Sequence, residues 1–507
     1  MKSKNKKIEI ILQAGGRGSR LRHYTWNKPK CLVSYFGKPL IFYTFECFNN
    51  SNFHIIGDYK IDKLKKYFLI SPPKVKYKIY KTNQEGTCAG ISDVLKKINK
   101  KSQIIIIWAD LIIKNFPIIK KSPTIFTTSS FTCRWSIKKN SLVEKTSSKR
   151  GIPGIFYFSN KKLLEKVPKY GEFVKWYSKN IKKFYSREIM NLKELGDFSS
   201  IEDSYNKIGY GRFFNEIKIK KNTIEKKAID QNYSHLITRE QNWYREVSNL
   251  NFRNIPKIIS TNPYVMEKIK GNHVFDLKNL DKKKTYKIIE NIITGLSKLH
   301  KTSKLLSDKK DLKEVYITKT LDRLNSVSKI IPNFKSAQSF TINGKKCKNY
   351  LNPNYKKNFK DIINILDVKY FSPIHGDPTF SNLLIKKNLA PVFIDPRGYF
   401  YKNNSIYGDV NYDFSKVYYS AIGNYDFFNR RKFKLYIDNF SVEILLDNIL
   451  HYDVSDIFKN YSKENYNKIK ILHGLIWLSL SGYVKDDIDS ILASFYNGLY
   501  WLNKALD

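Results

Sequence analysis

Two stretches of this 507-residue chain gather the residue types that phosphate chemistry demands. The first is Leu12-Gln13-Ala14-Gly15-Gly16-Arg17-Gly18-Ser19-Arg20-Leu21, with Lys28-Pro29-Lys30 shortly after it. Glycines let a backbone turn sharply and bring its N–H groups against a polyphosphate. Arg20 and Lys30 supply the positive charge that a triphosphate and its departing pyrophosphate require. The second stretch is His375-Gly376-Asp377-Pro378-Thr379-Phe380-Ser381-Asn382, followed by Ile394-Asp395-Pro396-Arg397-Gly398. Phosphoryl transfer to an alcohol or amine needs a carboxylate base beside the nucleophile, and oxygen ligands that hold Mg2+ against the β- and γ-phosphates. An Asp, an Asn five residues later and an Asp closing the next strand offer those three functions.

The hydrophobic pattern predicts the elements that must hold these residues. Within the first 200 residues, 8–12, 53–56, 75–80 and 104–108 read as strands, while 39–48 and 89–98 show helical spacing. That alternation predicts a mostly parallel α/β sheet, in which ligands sit outside the carboxyl ends of the strands. From about residue 209 the texture changes. A β-hairpin is expected over 213–219 and 223–228, then a helix over 236–247, a strand over 264–269 and a long helix over 282–300. The polar stretch 330–355 reads as a loop or insertion. Strands around Pro373 and 392–394 precede a C-terminus expected to be helix-rich from Asp413 onward. No convincing internal repeat is present. The expected domains are 1–208 and 209–507, the latter with a small lobe over about 209–270 and a larger one over about 271–507.

Composition narrows the function classes. There are 91 Lys+Arg against 45 Asp+Glu, a formal charge of +46. The lysines are scattered rather than gathered in one arm or stripe, so the charge is not read as nucleic-acid binding. Lys, Asn, Ile, Tyr and Phe are all abundant, as an A/T-rich genome favours, and a basic surface still attracts nucleotides and phosphorylated substrates. Cys31, Cys47, Cys88, Cys133 and Cys347 are odd in number and show no C-x-x-C spacing, which suggests neither a zinc site nor a disulfide framework. The apolar run 8–12 is too short for a signal peptide, and 104–113 and 475–480 fall short of a membrane span of roughly 20 residues. A cytoplasmic protein without stable membrane insertion is expected, and self-association is compatible with these features.

The first stretch resembles the signature of sugar-1-phosphate and phosphocholine-type nucleotidyltransferases, G-x-G-x-R-L followed by P-K. The resemblance covers roughly residues 8–205 and implies a Rossmann-like, GT-A-like mixed sheet. It implies nucleotide contacts from Gln13, Ala14, Gly15, Gly16 and Gly18, with Arg20 and Lys30 as catalytic cations. Gln84-Glu85-Gly86-Thr87 looks like the family's nucleobase-reading turn, through Gln84, Gly86 and Thr87. Asp110, closing Ile107-Trp108-Ala109-Asp110, stands where the family keeps its first metal-binding Asp. Glu194-Leu195-Gly196-Asp197-Phe198 is similar to the segment carrying the second, making Asp197 the partner ligand for Mg2+. Asp110 and Asp197 also have a plainer reading, as helix N-cap or turn residues. Cys133-Arg134-Trp135 and 171–176 are candidates for the acceptor pocket, an aromatic beside a carboxylate suiting a cationic headgroup. The same Trp residues serve equally as core.

The second stretch, H-G-D-x-x-x-x-N…I-D, resembles the aminoglycoside phosphotransferase and choline kinase superfamily. That implies a bilobal protein-kinase-like α+β domain with ATP as donor, Asp377 as base, and Asn382 and Asp395 as metal ligands. Lys226 lies where the superfamily has its phosphate-binding Lys, with Glu240 to pair with it; Lys227 and Glu246 are the rivals. Met266-Glu267-Lys268-Ile269 looks like the hinge that meets adenine, through Met266 and Ile269. Leu299-His300 resembles the end of the first large-lobe helix. The chain departs from the superfamily before Lys226, where Gly211-Arg212-Phe213-Phe214-Asn215 replaces a Gly-rich loop and Arg212 is the candidate substitute for its N–H groups. Asp395-Pro396-Arg397-Gly398 is a further variant, associated with capsule-biosynthesis relatives, as is Gly408-Asp409-Val410-Asn411-Tyr412-Asp413-Phe414-Ser415-Lys416.

The chain as a whole resembles bacterial capsule and surface-polysaccharide biosynthesis proteins that fuse these two activities. Consecutive steps are implied. A small polar acceptor is phosphorylated, then coupled to a nucleotide, CMP from CTP in the phosphocholine-like case, with release of pyrophosphate. Nucleotides and a small phosphorylated acceptor are the expected partners. Two alternatives stand beside this reading: a sugar-1-phosphate nucleotidyltransferase with a sugar kinase, and a nucleotidyltransferase with a catalytically inactive kinase-like domain.

Overall fold

The computed structural model describes residues 7–207, 215–278, 280–401 and 405–507. The expected boundary at 208/209 lies outside the described residues, as do Gly211, Arg212, Phe213 and Phe214. Two compact units are present: Met1–Tyr205 with Lys485–Asp489, and Asn206–Val484 with Ser490–Asp507.

The first unit is built on a seven-stranded sheet. Its strands run, in spatial order, Tyr185–Glu188, Thr124–Thr127, Ile155–Phe158, Ile104–Trp108, Glu9–Gln13, Asn52–Gly57 and Lys76–Lys81. Ile10, Ile11, Leu12 and Ile104 to Ile107 have no exposed surface, which is why these runs are continuously apolar rather than alternating. Glu9–Gln13 pairs in parallel with Asn52–Gly57 on one side and Ile104–Trp108 on the other. Ile155–Phe158 pairs antiparallel with both of its neighbours, so the sheet is mixed. The helices Leu40–Cys47, Ile61–Ile70 and Ile91–Leu95 lie between successive strands in the chain. The first and third match the expected pattern; Ile61–Ile70 was not anticipated. Because the order leaves Glu9–Gln13 in both directions, the chain has a topological switch point beside this strand, where crevices form at the carboxyl ends. Lys28, almost fully buried, forms ion pairs within this unit with Asp487 at 2.8 Å and with Asp489; burial opposes its charge, and the two carboxylates hold its ammonium raised.

In the second unit, a four-stranded antiparallel sheet has the order Asn215–Ile219, Thr223–Ala228, Tyr264–Glu267, Ile258–Thr261. Ser234–Asn249 is its helix, burying Glu240, Trp243, Tyr244 and Val247. The helix Lys282–His300 is N-capped by Asp281, whose side chain accepts from Lys284 N–H at 2.7 Å, and its apolar face joins the core. Tyr370–Pro373 and the hairpin Leu383–Ile385/Pro391–Phe393 lead to the helices Val410–Ala421, Tyr466–Ser481 and Ile488–Leu506. One expectation needs correction. The stretch 330–355 is not simply a loop, since it contains the strands Ser339–Ile342 and Lys345–Lys348. The region after Asp413 is helix-rich as expected, and it also carries a hairpin, Phe433–Asp438 with Ser441–Leu446. These four strands make one sheet whose inward positions, such as Phe340, Ile342, Cys347, Leu435 and Val442, are buried at period 2. The tight Asn343-Gly344 turn, both residues with positive φ, was the readable hairpin signal.

Candidate active sites

In the first unit, Gln13 ends its strand and Ala14–Gly18 turn away at the switch point. Gly18 has φ +67°, and a Cβ there would lie 3.1 Å from Lys30 Cβ. The missing side chain thus lets the loop and Lys30 lie together. Arg22, with φ 52°, adds a sparsely populated backbone conformation in the same segment. Gln13 donates its amide N–H to Thr87 O at 2.7 Å and to Ala89 O at 3.2 Å. Its side chain therefore ties the end of the first strand to the Gln84–Thr87 turn. Gly86 has φ +88°, and a Cβ there would run into Gly171 O. That turn is stitched to a second segment: Gly171 N donates to Glu85 O, Cys88 N to Gly171 O, and Phe173 N to the Thr87 hydroxyl at 2.8 Å.

On the other side of the switch point, Lys30 forms an ion pair with Asp110. Both side chains are mostly buried, 14% and 16% exposed, which strengthens their attraction relative to water. Asp110 precedes the short strand Leu111–Ile112, which pairs antiparallel with Lys193–Glu194. This register brings Glu194 to the site, 3.8 Å from Arg20. Burial, then the Asp110 and Asp197 carboxylates, push the Glu194 carboxyl up, while Lys30 and Arg20 pull it down. Glu194 is a site residue that the sequence motif alone did not single out. Asp197 accepts from Ser200 N at 2.9 Å and Ser199 Oγ at 2.7 Å, and these bonds hold its carboxyl low. It caps the helix Phe198–Lys207, the plainer of its two readings, while remaining among the charges that act on Glu194. A set of carboxylate oxygens suits a hard cation such as Mg2+, which takes one or two carboxylates and completes its shell with water and phosphate oxygens. Among the described residues no group of three or more His, Cys, Asp or Glu encloses a metal by itself.

The proposed aromatic acceptor pocket changes character. Trp135 is 9% exposed and part of the hydrophobic core, against which Trp176 packs. Glu172 is held by Arg134 at 2.8 Å, so its carboxylate already has a cationic partner.

In the second unit, Lys226 is buried between Glu240, at 2.7 Å, and Asp395. Burial alone would lower its ammonium; the Asp395 and Glu240 carboxylates hold it raised. Tyr264 donates to Glu240 at 3.1 Å. Asp395 has φ 55°, unusual for a residue with a Cβ, so the backbone presents this carboxylate in a strained conformation. Asn382 donates to Asp377 O at 2.7 Å and to Asp377 Oδ2 at 3.1 Å. Buried Asp413 accepts from His375 N at 2.8 Å, Gly376 N at 2.7 Å and His300 Nε2 at 3.0 Å. It fixes the turn that aims Asp377, and the sequence reading had not assigned it that part. Burial lowers the His375 imidazole, which meets Ile394 O at 3.0 Å and so locks the Asp377 turn to the strand before Asp395. Lys226, Glu240, Asp377, Asn382 and Asp395 are thereby linked through two ends of one arrangement. Met266 and Ile269 are 3% and 8% exposed, and Met266 pairs with Ile224 inside the sheet, so its side chain serves the core.

Comparisons with known proteins bear on the first unit. The nucleotidyl transferase family model matches residues 8–122. A CTP:phosphoglutamine cytidylyltransferase from Campylobacter jejuni is 34% identical over 112 residues, 21% of this chain and 44% of that protein. The chain thus spans less than half the length of this curated relative. The inositol-1-phosphate CTP transferase from T. maritima is similar at 14% identity, with 38% of this chain and 91% of that chain covered and a TM-score of 0.32. The CTP:phosphocholine cytidylyltransferase from Streptococcus pneumoniae is similar at 20% identity, covering 40% and 97%, with a TM-score of 0.31. No helix among the described residues is long and apolar enough to cross a membrane. The N-terminal part of the chain is a nucleotidyltransferase-type domain, similar in sequence to a CTP:phosphoglutamine cytidylyltransferase.

Proposed function

We propose that the first unit is a cytidylyltransferase for a small phosphomonoester and that the second, residues 209–507 in large part, is a kinase-like domain that makes the phosphomonoester. The observation that carries the first half is the meeting of the Gly15–Gly18 turn, Arg20, the Lys30–Asp110 pair and Glu194 at one switch point. The relative that acts on phosphoglutamine with CTP supports CTP as donor and a phosphorylated amino acid as acceptor. Glu172, held by Arg134, argues against an acceptor recognised through a cationic headgroup.

In this reading a phosphate oxygen of the acceptor attacks the α-phosphorus of CTP, and the bond from the α-phosphorus to the bridging oxygen breaks, releasing pyrophosphate. The loop N–H groups receive the triphosphate, and Lys30 turns from Asp110 toward the leaving oxygens with Arg20 beside it. Asp110 and Asp197 would hold Mg2+, which offsets phosphate charge when bound, with Glu194 among the charges around them. In the second unit Asp377 accepts the acceptor's proton as its oxygen or nitrogen bonds the γ-phosphorus of ATP and ADP departs with the bridging oxygen. Lys226 orients the phosphates, and Asn382 and Asp395 would hold the metal. The activated product is a precursor for modifying a surface glycan.

The test is pyrophosphate release from each of CTP, UTP, ATP and GTP with Mg2+, against phosphorylated amino acids, amino alcohols and sugar-1-phosphates. CTP-dependent release with a phosphorylated amino acid is expected. Release only with a sugar-1-phosphate would replace this reading with the sugar nucleotidyltransferase alternative.

A further inference from the structure

Lys416 and Arg397 lie at the Asp377 turn within the second unit, and Lys319 and Arg323 add two more basic side chains beside them. Lys416 pairs with Asp377 Oδ1 at 3.0 Å, and against the effect of burial Asp377 holds its ammonium raised. Arg397 lies against the turn itself: a Cβ at Gly376 would sit 2.9 Å from Arg397 Cβ. Its guanidinium stacks 4.3 Å from the Tyr399 ring and donates to the Tyr412 hydroxyl at 3.3 Å. Lys319 and Arg323 share one face of the helix Lys319–Val327 at i, i+4. A π-helical turn, Glu314–Thr318, leads directly into that helix, a departure from α geometry that recurs at functional sites. Arg323 donates to Ser479 Oγ at 3.0 Å and lies over the Tyr483 ring. Burial, then Arg397, Arg323 and Lys416, push the Lys319 ammonium down to about 6, with Asp377 acting in the opposite sense.

Among the described residues, Lys319, Arg323 and Arg397 form no ion pair with a carboxylate. Among the described residues, Asp377 faces Lys416, Arg397 and the neighbouring Lys319 and Arg323, an excess of basic groups that favours an added anion, since desolvated charges of one sign persist only when compensated. The tyrosines cannot supply it fully, although Arg397 and Arg239 draw the Tyr399 phenol below its usual range against the effect of burial. We propose that this cluster binds the carboxylate of a small acceptor, leaving the acceptor's amide or hydroxyl facing Asp377. The inference rests on reading Asp377 as the phosphotransfer base and narrows the substrate class of that site to carboxylate-bearing molecules. The planar forks of Arg397 and Arg323 suit a carboxylate. The oxyanion chemistry is shared with the phosphates of a nucleotide, and the experiment separates the two.

The full-length protein is titrated calorimetrically with glutarate, L-glutamine, ethanolamine and inorganic phosphate. Glutarate and L-glutamine bind, and ethanolamine does not. Arg397→Gln and Arg323→Gln weaken glutarate roughly ten- to hundred-fold, the effect of losing a charged hydrogen bond. Asp377→Asn strengthens it, because the competing carboxylate charge is gone. Binding at pH 8 takes up protons, read from buffers of different ionisation enthalpy, and Lys319→Met abolishes that uptake. Unchanged near-ultraviolet circular dichroism verifies that each variant is folded. Wild-type glutarate affinity in both arginine variants, or binding of ethanolamine in place of glutarate, overturns the proposal. Competition between Mg-ATP and glutarate assigns the cluster to nucleotide phosphate and also overturns it. Glutarate binding that depends on Arg397, in a protein with no phosphoryl transfer to any acceptor, would sustain the anion site while removing the kinase reading.

Discussion

At the residue scale, the proposed reaction in the first unit requires paired charges to change partners. Lys30 and Asp110 neutralise each other in the structure, and Arg20 faces Glu194. Arg20 is largely exposed, and Lys30 still acts on half-buried Glu194 when Arg20 is removed, so its loss reports on ligand more than on fold. Arg20→Ala is expected to lower kcat/KM for pyrophosphate release by roughly 10²-fold, the scale of one lost transition-state donor, with unchanged thermal unfolding. Gly86 makes the opposite prediction. Any side chain there meets Gly171 backbone and requires positive φ, so Gly86→Ala is expected to destabilise the first unit by about 1–3 kcal/mol in urea unfolding and to impair CTP binding. Arg20, Lys30 and Asp110 were legible because their spacing follows a glycine turn and a strand end. Glu194 was not, because only the pairing of Lys193–Glu194 with Leu111–Ile112 brings it in, and a two-residue strand leaves no periodic trace.

At the scale of elements, long apolar strands and the helix Lys282–His300 were readable from periodicity, whereas the hairpins inside 330–355 and after Asp413 were masked by polar outward faces. An alternating four-residue strand beside Asn-Gly resembles a loop unless its partner is known. The helix Tyr466–Ser481 carries a separate consequence. His473 is fully buried, and its Nε2 accepts from Trp477 Nε1 at 2.8 Å, so the ring is held neutral and burial pushes its pKa down to about 3. In the unfolded chain a histidine titrates near 6.5. Its folded value is depressed, so the contribution is intact above pH 6.5 and is lost as pH falls toward 3, by an amount on the order of 4 kcal/mol. Urea unfolding is expected to show lower stability at pH 4.5 than at pH 7, and His473→Gln, which keeps an acceptor for Trp477, is expected to flatten that slope.

At the scale of the whole molecule, the two proposed chemistries belong to two units of one chain. The polar groups of each site are linked within its own unit: Lys30 with Asp110 in one, Lys226 with Glu240 and Asp395 in the other. Asp377→Asn is therefore expected to remove ATP-dependent phosphorylation while pyrophosphate release with a ready-made phosphomonoester continues, measured in parallel on one preparation. The stretches that hold both candidate sites were legible in the sequence because the chemistry proposed for them draws on short, contiguous spacings. The basic cluster beside Asp377 was not, since Lys319 and Arg323 on one helix, Arg397 and Lys416 come from three separate parts of the chain among 91 basic residues. The most direct test of the central claim is CTP-dependent pyrophosphate release with a phosphorylated amino acid, compared between the native protein and Lys30→Ala. Robust release that falls by roughly 10²–10³-fold in the variant is expected. Equal release by both proteins, or none from folded native protein with any nucleotide, would contradict it.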